Sequence, residues 1–223
     1  GTRLATASGD GTVRIWDVAT GTEVEALQDV GVAGALAADD RGEQIAAGGE
    51  NNQATIWDAR TAEQRAALSG HLGEVTAACF APGGDLLATG DDRGTCRLWR
   101  YNAATDQWQP LATLTGHSRT ITAMHFVDEG RRLVTASGDK TCAPWDVARG
   151  QEEKELVLKH PAWVADMAVS RDGQQALTCS DDGKLRLWAL ADATLLATYE
   201  PEPSAALTSV DISPDGRLAV AVS

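Results

Sequence analysis

Five tryptophans, Trp16, Trp57, Trp99, Trp145 and Trp188, recur at intervals of 41, 42, 46 and 43 residues. Each closes a short β-like run: Val13-Arg14-Ile15-Trp16, Ala54-Thr55-Ile56-Trp57, Cys96-Arg97-Leu98-Trp99, Cys142-Ala143-Pro144-Trp145 and Leu185-Arg186-Leu187-Trp188. A period of this length marks a repeat architecture, in which one supersecondary unit is copied and each copy buries its faces against its neighbours. Such arrays present surfaces rather than build a single catalytic pocket.

Each unit reads the same way from its Trp backwards. A glycine stands 15 residues earlier every time: Gly1, Gly42, Gly84, Gly130 and Gly173. Four of these lie in turn-like strings such as Arg171-Asp172-Gly173, where glycine supplies the positive φ of a tight hairpin. Apolar runs flank the turn, for example Val75 to Ala81 with Leu86 to Gly90, and Ile121 to Val127 with Leu133 to Ser137. A more polar strand follows each Trp: Glu23 to Leu27, Gln64 to Leu68, Gln109 to Leu114, Glu153 to Leu158 and Ala193 to Tyr199. Four short strands joined by turns make one antiparallel blade. Helical periodicity is absent. Tyr101 to Trp108 reads as an enlarged loop, and Pro144, which has no N–H to give a ladder, predicts a local bulge in the fourth unit.

Trp-Asp occurs as Trp16-Asp17, Trp57-Asp58 and Trp145-Asp146, and Gly-His as Gly70-His71 and Gly116-His117. With this spacing the whole chain resembles the WD-repeat (WD40) β-propeller family. The resemblance implies an all-β, WD40-type β-propeller with four-stranded antiparallel blades and about five repeats present. It also implies a buried His–Ser/Thr–Asp–Trp tetrad in each blade. A His lies 28 residues before Trp99, Trp145 and Trp188, at His71, His117 and His160. A Thr lies ten before Trp at Thr6, Thr89, Thr135 and Thr178, and an Asp six before at Asp10, Asp139 and Asp182. Two tetrads look complete: His117, Thr135, Asp139, Trp145; and His160, Thr178, Asp182, Trp188. The second unit has Asp29, Ala47 and Asn51 at these places, and the third has Arg93 where the Asp is expected, beside Asp91 and Asp92. A His–Asp–Thr set also suggests catalysis, but its recurrence in several units argues for structure and against metal ligation by these histidines. His125 lies outside the pattern and reads as packing.

The units run 1–28, 29–69, 70–115, 116–158 and 159–200, with a partial copy at 201–223. GTRLATAS at the start and GRLAVAVS at the end are the same element, 215 residues apart. Two architectures compete. Leu207–Ser213 closes a five-bladed ring by completing the first blade, or the chain is part of a larger ring, seven-bladed in the usual form of the family. The second is favoured, with the terminal strands expected to pair with another segment or chain.

The chain carries 32 acidic against 19 basic residues, a net charge of −13, which disfavours nucleic acid and favours a neutral or basic partner. Its longest small-apolar run, Val30 to Ala38, is too short for a membrane span, and there is no leader pattern. Cys79, Cys96, Cys142 and Cys179 form no C-x-x-C and read as small buried hydrophobes in a reducing, cytoplasmic setting. Ala- and Arg-rich wording points to a bacterial origin. No phosphate loop, nucleophile elbow, zinc spacing or calcium loop is found, so no catalytic residue, cofactor or metal is expected.

The expected function is a non-catalytic protein–protein interaction scaffold whose top rim binds a peptide or protein, with a basic segment favoured. The alternatives are a sensor or regulatory domain that restrains an attached ATPase or kinase, and an enzyme or small-ligand binder that uses the central channel. By the resemblance, rim positions fall three and five residues after each His and just before each tetrad Asp: Glu74, Thr76 and Asp92; Thr120, Thr122 and Gly138; Trp163, Ala165 and Asp181; and, in the second unit, Val32, Gly34 and Glu50. Glu50, Glu74, Asp91, Asp92 and Asp181 make this rim acidic. Trp163 reads either as an interface anchor or as a ring packed on a neighbouring blade, and Trp108 as cover for an outer strand.

Overall fold

The computed structural model describes residues 2–27, 33–201, 205–213 and 216–223. The chain forms two compact units, Gly1–Thr115 and Gly116–Ser223. Asp29 and Val32 lie outside the described residues.

The first unit holds three antiparallel sheets. β1 (Arg3–Ala7), β2 (Val13–Asp17) and β3 (Glu23–Leu27) form the first. β4 (Ala33–Ala38), β5 (Gln44–Gly49), β6 (Gln53–Asp58) and β7 (Gln64–Ser69) form the second, in sequential order. β8 (Val75–Phe80), β9 (Leu86–Asp91), β10 (Thr95–Asn102) and β11 (Gln107–Thr115) form the third. Sheet packs on sheet. Val13, Ile15 and Leu27 meet Ile45, Ala47 and Trp57, and Ala46, Ile56 and Leu68 meet Val75, Leu87 and Trp99. Side chains such as Ile15, Ile56 and Leu87 are almost wholly buried, each worth ~1.5–3 kcal/mol of transfer free energy. Every residue of β9 is buried, so its run LLATGD carries no alternation of buried and exposed positions.

The second unit repeats the plan with β12 (Ile121–Val127), β13 (Arg132–Ser137), β14 (Thr141–Asp146), β15 (Gln151–Glu152) and β16 (Leu158–Lys159) in one sheet. β17 (Val164–Val169), β18 (Gln175–Ser180), β19 (Leu185–Ala189) and β20 (Thr194–Tyr199) form the next, and β21 (Ser209–Ile212) pairs with β22 (Ala219–Val222) in a two-stranded sheet. Ala136, Cys142 and Leu158 pack on Val164, Met167 and Trp188, and Leu177 and Cys179 pack on Leu207 and Val210. His125 bonds to the Met167 carbonyl oxygen through Nε2 at 2.8 Å, tying β12 to β17.

Bulges recur at equivalent places. The register slips between the first and second strands at Ala33/Ala35, Val75/Ala77, Ile121/Ala123 and Val164/Asp166. It slips again just before Trp16, Trp57, Trp99 and Trp188. Each slip adds local twist.

Two sequence expectations are corrected. The strand expected over Glu153 to Leu158 is split: β15 pairs with Trp145 and Asp146, β16 with Thr141 and Cys142, and a 3-10 turn at Lys154–Leu156 lies between. Pro144 is the cause. Its carbonyl accepts from the Glu153 N–H at 2.8 Å, so its missing donor faces that same outer strand and the ladder lapses there. Tyr101 to Trp108 is not a loop but a lengthened hairpin, with Tyr101 paired to Trp108 across β10 and β11 and the turn confined to 103–106.

Candidate functional site

The Trp indole and the Thr hydroxyl come together because the hairpin register fixes them. Trp Nε1 donates to Thr Oγ1 at 2.8 Å in the pairs Trp16–Thr6, Trp99–Thr89 and Trp145–Thr135, and at 3.0 Å in Trp188–Thr178. The histidine closes on the same hydroxyl: Nε2 of His71, His117 and His160 lies 2.7, 2.8 and 2.8 Å from Thr89, Thr135 and Thr178. In the fourth repeat His117 Nδ1 is 2.8 Å from Asp139 Oδ2. The chain of bonds is satisfied when Nδ1–H donates to the carboxylate and Nε2 accepts from the Thr hydroxyl. Burial opposes ionisation of Asp139, but bonds from His117 and Thr141 outweigh it and hold the carboxyl well below its usual range.

The fifth repeat does not complete its expected set. Asp182 is claimed by Arg186, whose Nη2 and Nη1 donate to it at 2.6 and 3.1 Å, and Ser180 Oγ also donates to it. Among the described residues His160 Nδ1 is left buried with no hydrogen-bond partner. Burial first, and the Arg186 charge second, push His160 down to about 4. Asp182 is held at about 2: the Arg186 and Ser180 bonds prevail over burial. The corresponding residue of the fourth repeat is Ala143, which cannot compete for Asp139.

The third repeat, which carries Arg93 at the expected Asp place, has the full set by another route. Asp91 at the end of β9 sits 2.9 Å from His71 Nδ1 and also accepts from the backbone N–H of Arg93 and Thr95 at 3.0 and 2.8 Å. Asp91 is fully buried and is therefore not a rim residue. Burial lowers the His71 pKa, and Asp91 opposes the shift. In the second repeat Ala47 offers no hydroxyl to Trp57.

These sets resemble catalytic triads in composition only. The three histidines are 5–9% exposed and Thr89, Thr135 and Thr178 are sealed, so no substrate reaches the hydroxyl. Among the described residues no group of three or more His, Cys, Asp or Glu is placed to hold a metal. No helix among them is long and apolar enough to cross a membrane. The four cysteines form no disulfide. Burial pushes the thiols of Cys96 and Cys142 far up and that of Cys179 to about 12, which leaves them unreactive at neutral pH.

The positions assigned to the rim are joined in pairs. The backbone N–H of Asp92 donates to the Glu74 carbonyl at 2.9 Å, that of Gly138 to Thr120 at 3.0 Å, and that of Asp181 to Trp163 at 3.0 Å. Each bond clips the loop entering a first strand to the loop leaving a second strand. In the first unit Glu74 lies across Gly34, where a Cβ would stand 2.9 Å from its carboxylate, and Asp92 lies across Gly73. Glu50 and Asp92 are exposed, and Glu74 and Thr76 half-buried. In the second unit the Trp163 indole lies flat against Gly138, 2.5 Å from where a Cβ would be. Trp163 is half-buried and Asp181 exposed, while Thr122 Oγ1 donates to the Val164 carbonyl at 2.9 Å.

Comparison with known proteins follows this geometry. The family model described as WD domain, G-beta repeat matches residues 1–17, 62–100, 108–146 and 152–189. The chain is similar to a guanine nucleotide-binding protein subunit beta of Arabidopsis thaliana, 31% identical over 199 residues, covering 83% of this chain and 52% of that protein. It is similar to the nuclear distribution protein nudF of Emericella nidulans, 28% identical over 192 residues, 84% of this chain and 37% of that protein. It also matches the DENN domain and WD repeat-containing protein SCD1 of Arabidopsis thaliana, 37% identical over 100 residues, 44% of this chain and 8% of that protein. The chain thus spans about half or less of the length of these relatives. Plant and fungal relatives lend no support to a bacterial origin.

Proposed function

The chain belongs to the WD-repeat family, and from that premise we propose that it is a non-catalytic protein-interaction module that binds a protein or peptide through the clipped loops of its repeats. The observation that carries this reading is the loop-to-loop hydrogen bond repeated at Glu74–Asp92, Thr120–Gly138 and Trp163–Asp181. It holds Glu74 and Asp92, and Trp163 and Asp181, in fixed positions outside the His–Thr–Trp sets. In the second unit it presents a half-buried indole, Trp163, beside an exposed carboxylate, Asp181. An aromatic anchor next to a charge suits a basic segment with an apolar residue. In the first unit Glu50, Glu74 and Asp92 supply acidic contacts, and the net charge of −13 agrees in sign. One relative is named a subunit of a guanine nucleotide-binding protein, which fits a role in assembly.

The β22 strand supports a second contact of the same kind. Among the described residues it pairs with β21 alone, and Leu218, Val220 and Val222 are 71, 64 and 55% exposed. That edge is suited to pairing with another strand.

The test is an affinity pull-down with wild type and the Trp163→Ala/Asp181→Lys variant, with bound proteins identified by mass spectrometry. The variant is expected to lose its specific partner while keeping its β-sheet circular dichroism. Unchanged recovery of that partner removes the rim assignment.

A further inference from the structure

We propose that the cavity beside the lengthened β10–β11 hairpin binds the guanidinium or ammonium group of a basic peptide side chain. The cavity lies wholly within the first unit and has a volume of about 450 Å³, inside the ~300–1,000 Å³ range of ligand pockets. Asp58, Glu63, Gln64 and Arg65 form one wall, and Tyr101, Asp106 and Trp108 the other. The second wall exists because β10 and β11 run to eight and nine residues, whereas β2, β3, β6 and β7 stop at five or six.

The chemistry of the walls selects a cation with a carbon stem. Three carboxylates face one guanidinium. Arg65 already pairs with Asp58, so this wall receives a guanidinium from the chain itself. The Thr61 and Arg60 backbone N–H groups, together with Arg65, hold Asp58 at about 2, and it stays ionised. Glu63 and Asp106 take part in no ion pair among the described residues, so their charge is left for an incoming cation. The Tyr101 hydroxyl donates to Asp106, which raises the phenol pKa and keeps it neutral. Tyr101 and Trp108 stand with ring centroids 5.8 Å apart and planes tilted at 49°, an aromatic surface for methylenes and for cation–π contact. A bare metal ion is not favoured, because among the described residues no three His, Cys, Asp or Glu side chains come close enough to share one ion. A peptide is favoured over a free amine because, among the described residues, β7 and β11 are the edge strands of their sheets and offer main-chain groups to an incoming segment.

The site is independent of the rim, and its test leaves the rim intact. The probe is a fluorescein-labelled five-residue peptide with one central arginine among glycine and serine, titrated at low ionic strength and followed by anisotropy. Controls are the citrulline counterpart, N-acetyl-arginine amide as competitor, and the Glu63→Gln/Asp106→Asn variant, whose fold is checked by thermal unfolding. The arginine peptide is expected to bind at least tenfold more tightly than the citrulline peptide, and the double variant to lose at least tenfold. Trp108→Phe, which keeps a ring, is expected to retain most of the affinity. No binding of the arginine peptide up to millimolar concentration overturns the proposal, as does equal binding of the citrulline peptide or by the folded double variant. Equal affinity for N-acetyl-arginine amide identifies a free organic cation and refutes the peptide assignment.

Discussion

Replacing Arg186 with alanine recreates in the fifth repeat what Ala143 provides in the fourth. The guanidinium that holds Asp182 at 2.6 and 3.1 Å disappears, and the carboxylate is released to reach His160 Nδ1, now buried without a partner. His160 stands at about 4 against an ordinary 6.5. That gap of about 2.5 units corresponds to roughly 3 kcal/mol at ~1.4 kcal/mol per unit. Burial is the larger cause and survives the substitution, so only part of the gap closes. A rise of at least one unit, ~1.4 kcal/mol, is expected from losing the Arg186 charge and gaining the Asp182 bond. The assay is a proton NMR titration of the four histidines, with His160 assigned through His160→Gln. The sign for stability follows from linkage. The folded pKa is depressed, so the unfolded chain takes up the proton first as pH falls. The His160 contribution is therefore complete above about pH 6.5 and is lost progressively towards pH 4. The variant should lose less stability across that window in urea titrations. The reasoning fails if His160 in Arg186→Ala titrates within a few tenths of a unit of wild type. It fails equally if Asp182→Asn/Arg186→Ala shows the same rise, because the carboxylate would then play no part.

Two further outcomes complete the set. Asp139→Ala leaves His117 Nδ1 without its 2.8 Å partner and should cost about 2–3 kcal/mol in urea unfolding, whereas Asp10→Ala, which removes exposed bonds to Thr12 and Arg14, should cost less than about 1 kcal/mol. Gly138→Ala puts a methyl 2.5 Å from the Trp163 ring, so the indole should be driven off its seat, with a red-shifted tryptophan emission and a loss of about 1–3 kcal/mol.

What could be read from the chain depended on whether the backbone register alone decided it. Thr at ten residues before Trp worked in four repeats because both lie on adjacent strands of one hairpin, where Thr135 pairs with Ala143 and Thr178 with Arg186. The acid was harder. It sits at the mouth of the turn, where either the last strand residue (Asp91) or a residue two further on (Asp139) reaches the histidine. Fixed spacing therefore missed Asp91. It also over-read Asp182, because the arginine that captures it lies on the next strand and is decided by side-chain geometry. The hairpin after Trp99 read as a loop since its turn letters, Asn102 to Asp106, outweighed the Tyr101–Trp108 pair that extends the ladder. The cavity it creates combines side chains from two repeats, and no spacing rule within one repeat could reveal it.

The break opposite Pro144 has a consequence for the crowded chain. A continuous outer strand is a template on which a second molecule can grow a fibril. In the fourth sheet that strand is two dipeptides separated by a tight coil, with Leu158 turned inward and buried. A foreign strand finds no run of amides long enough to zip onto, so the proline that weakens its own ladder also denies aggregation a starting line.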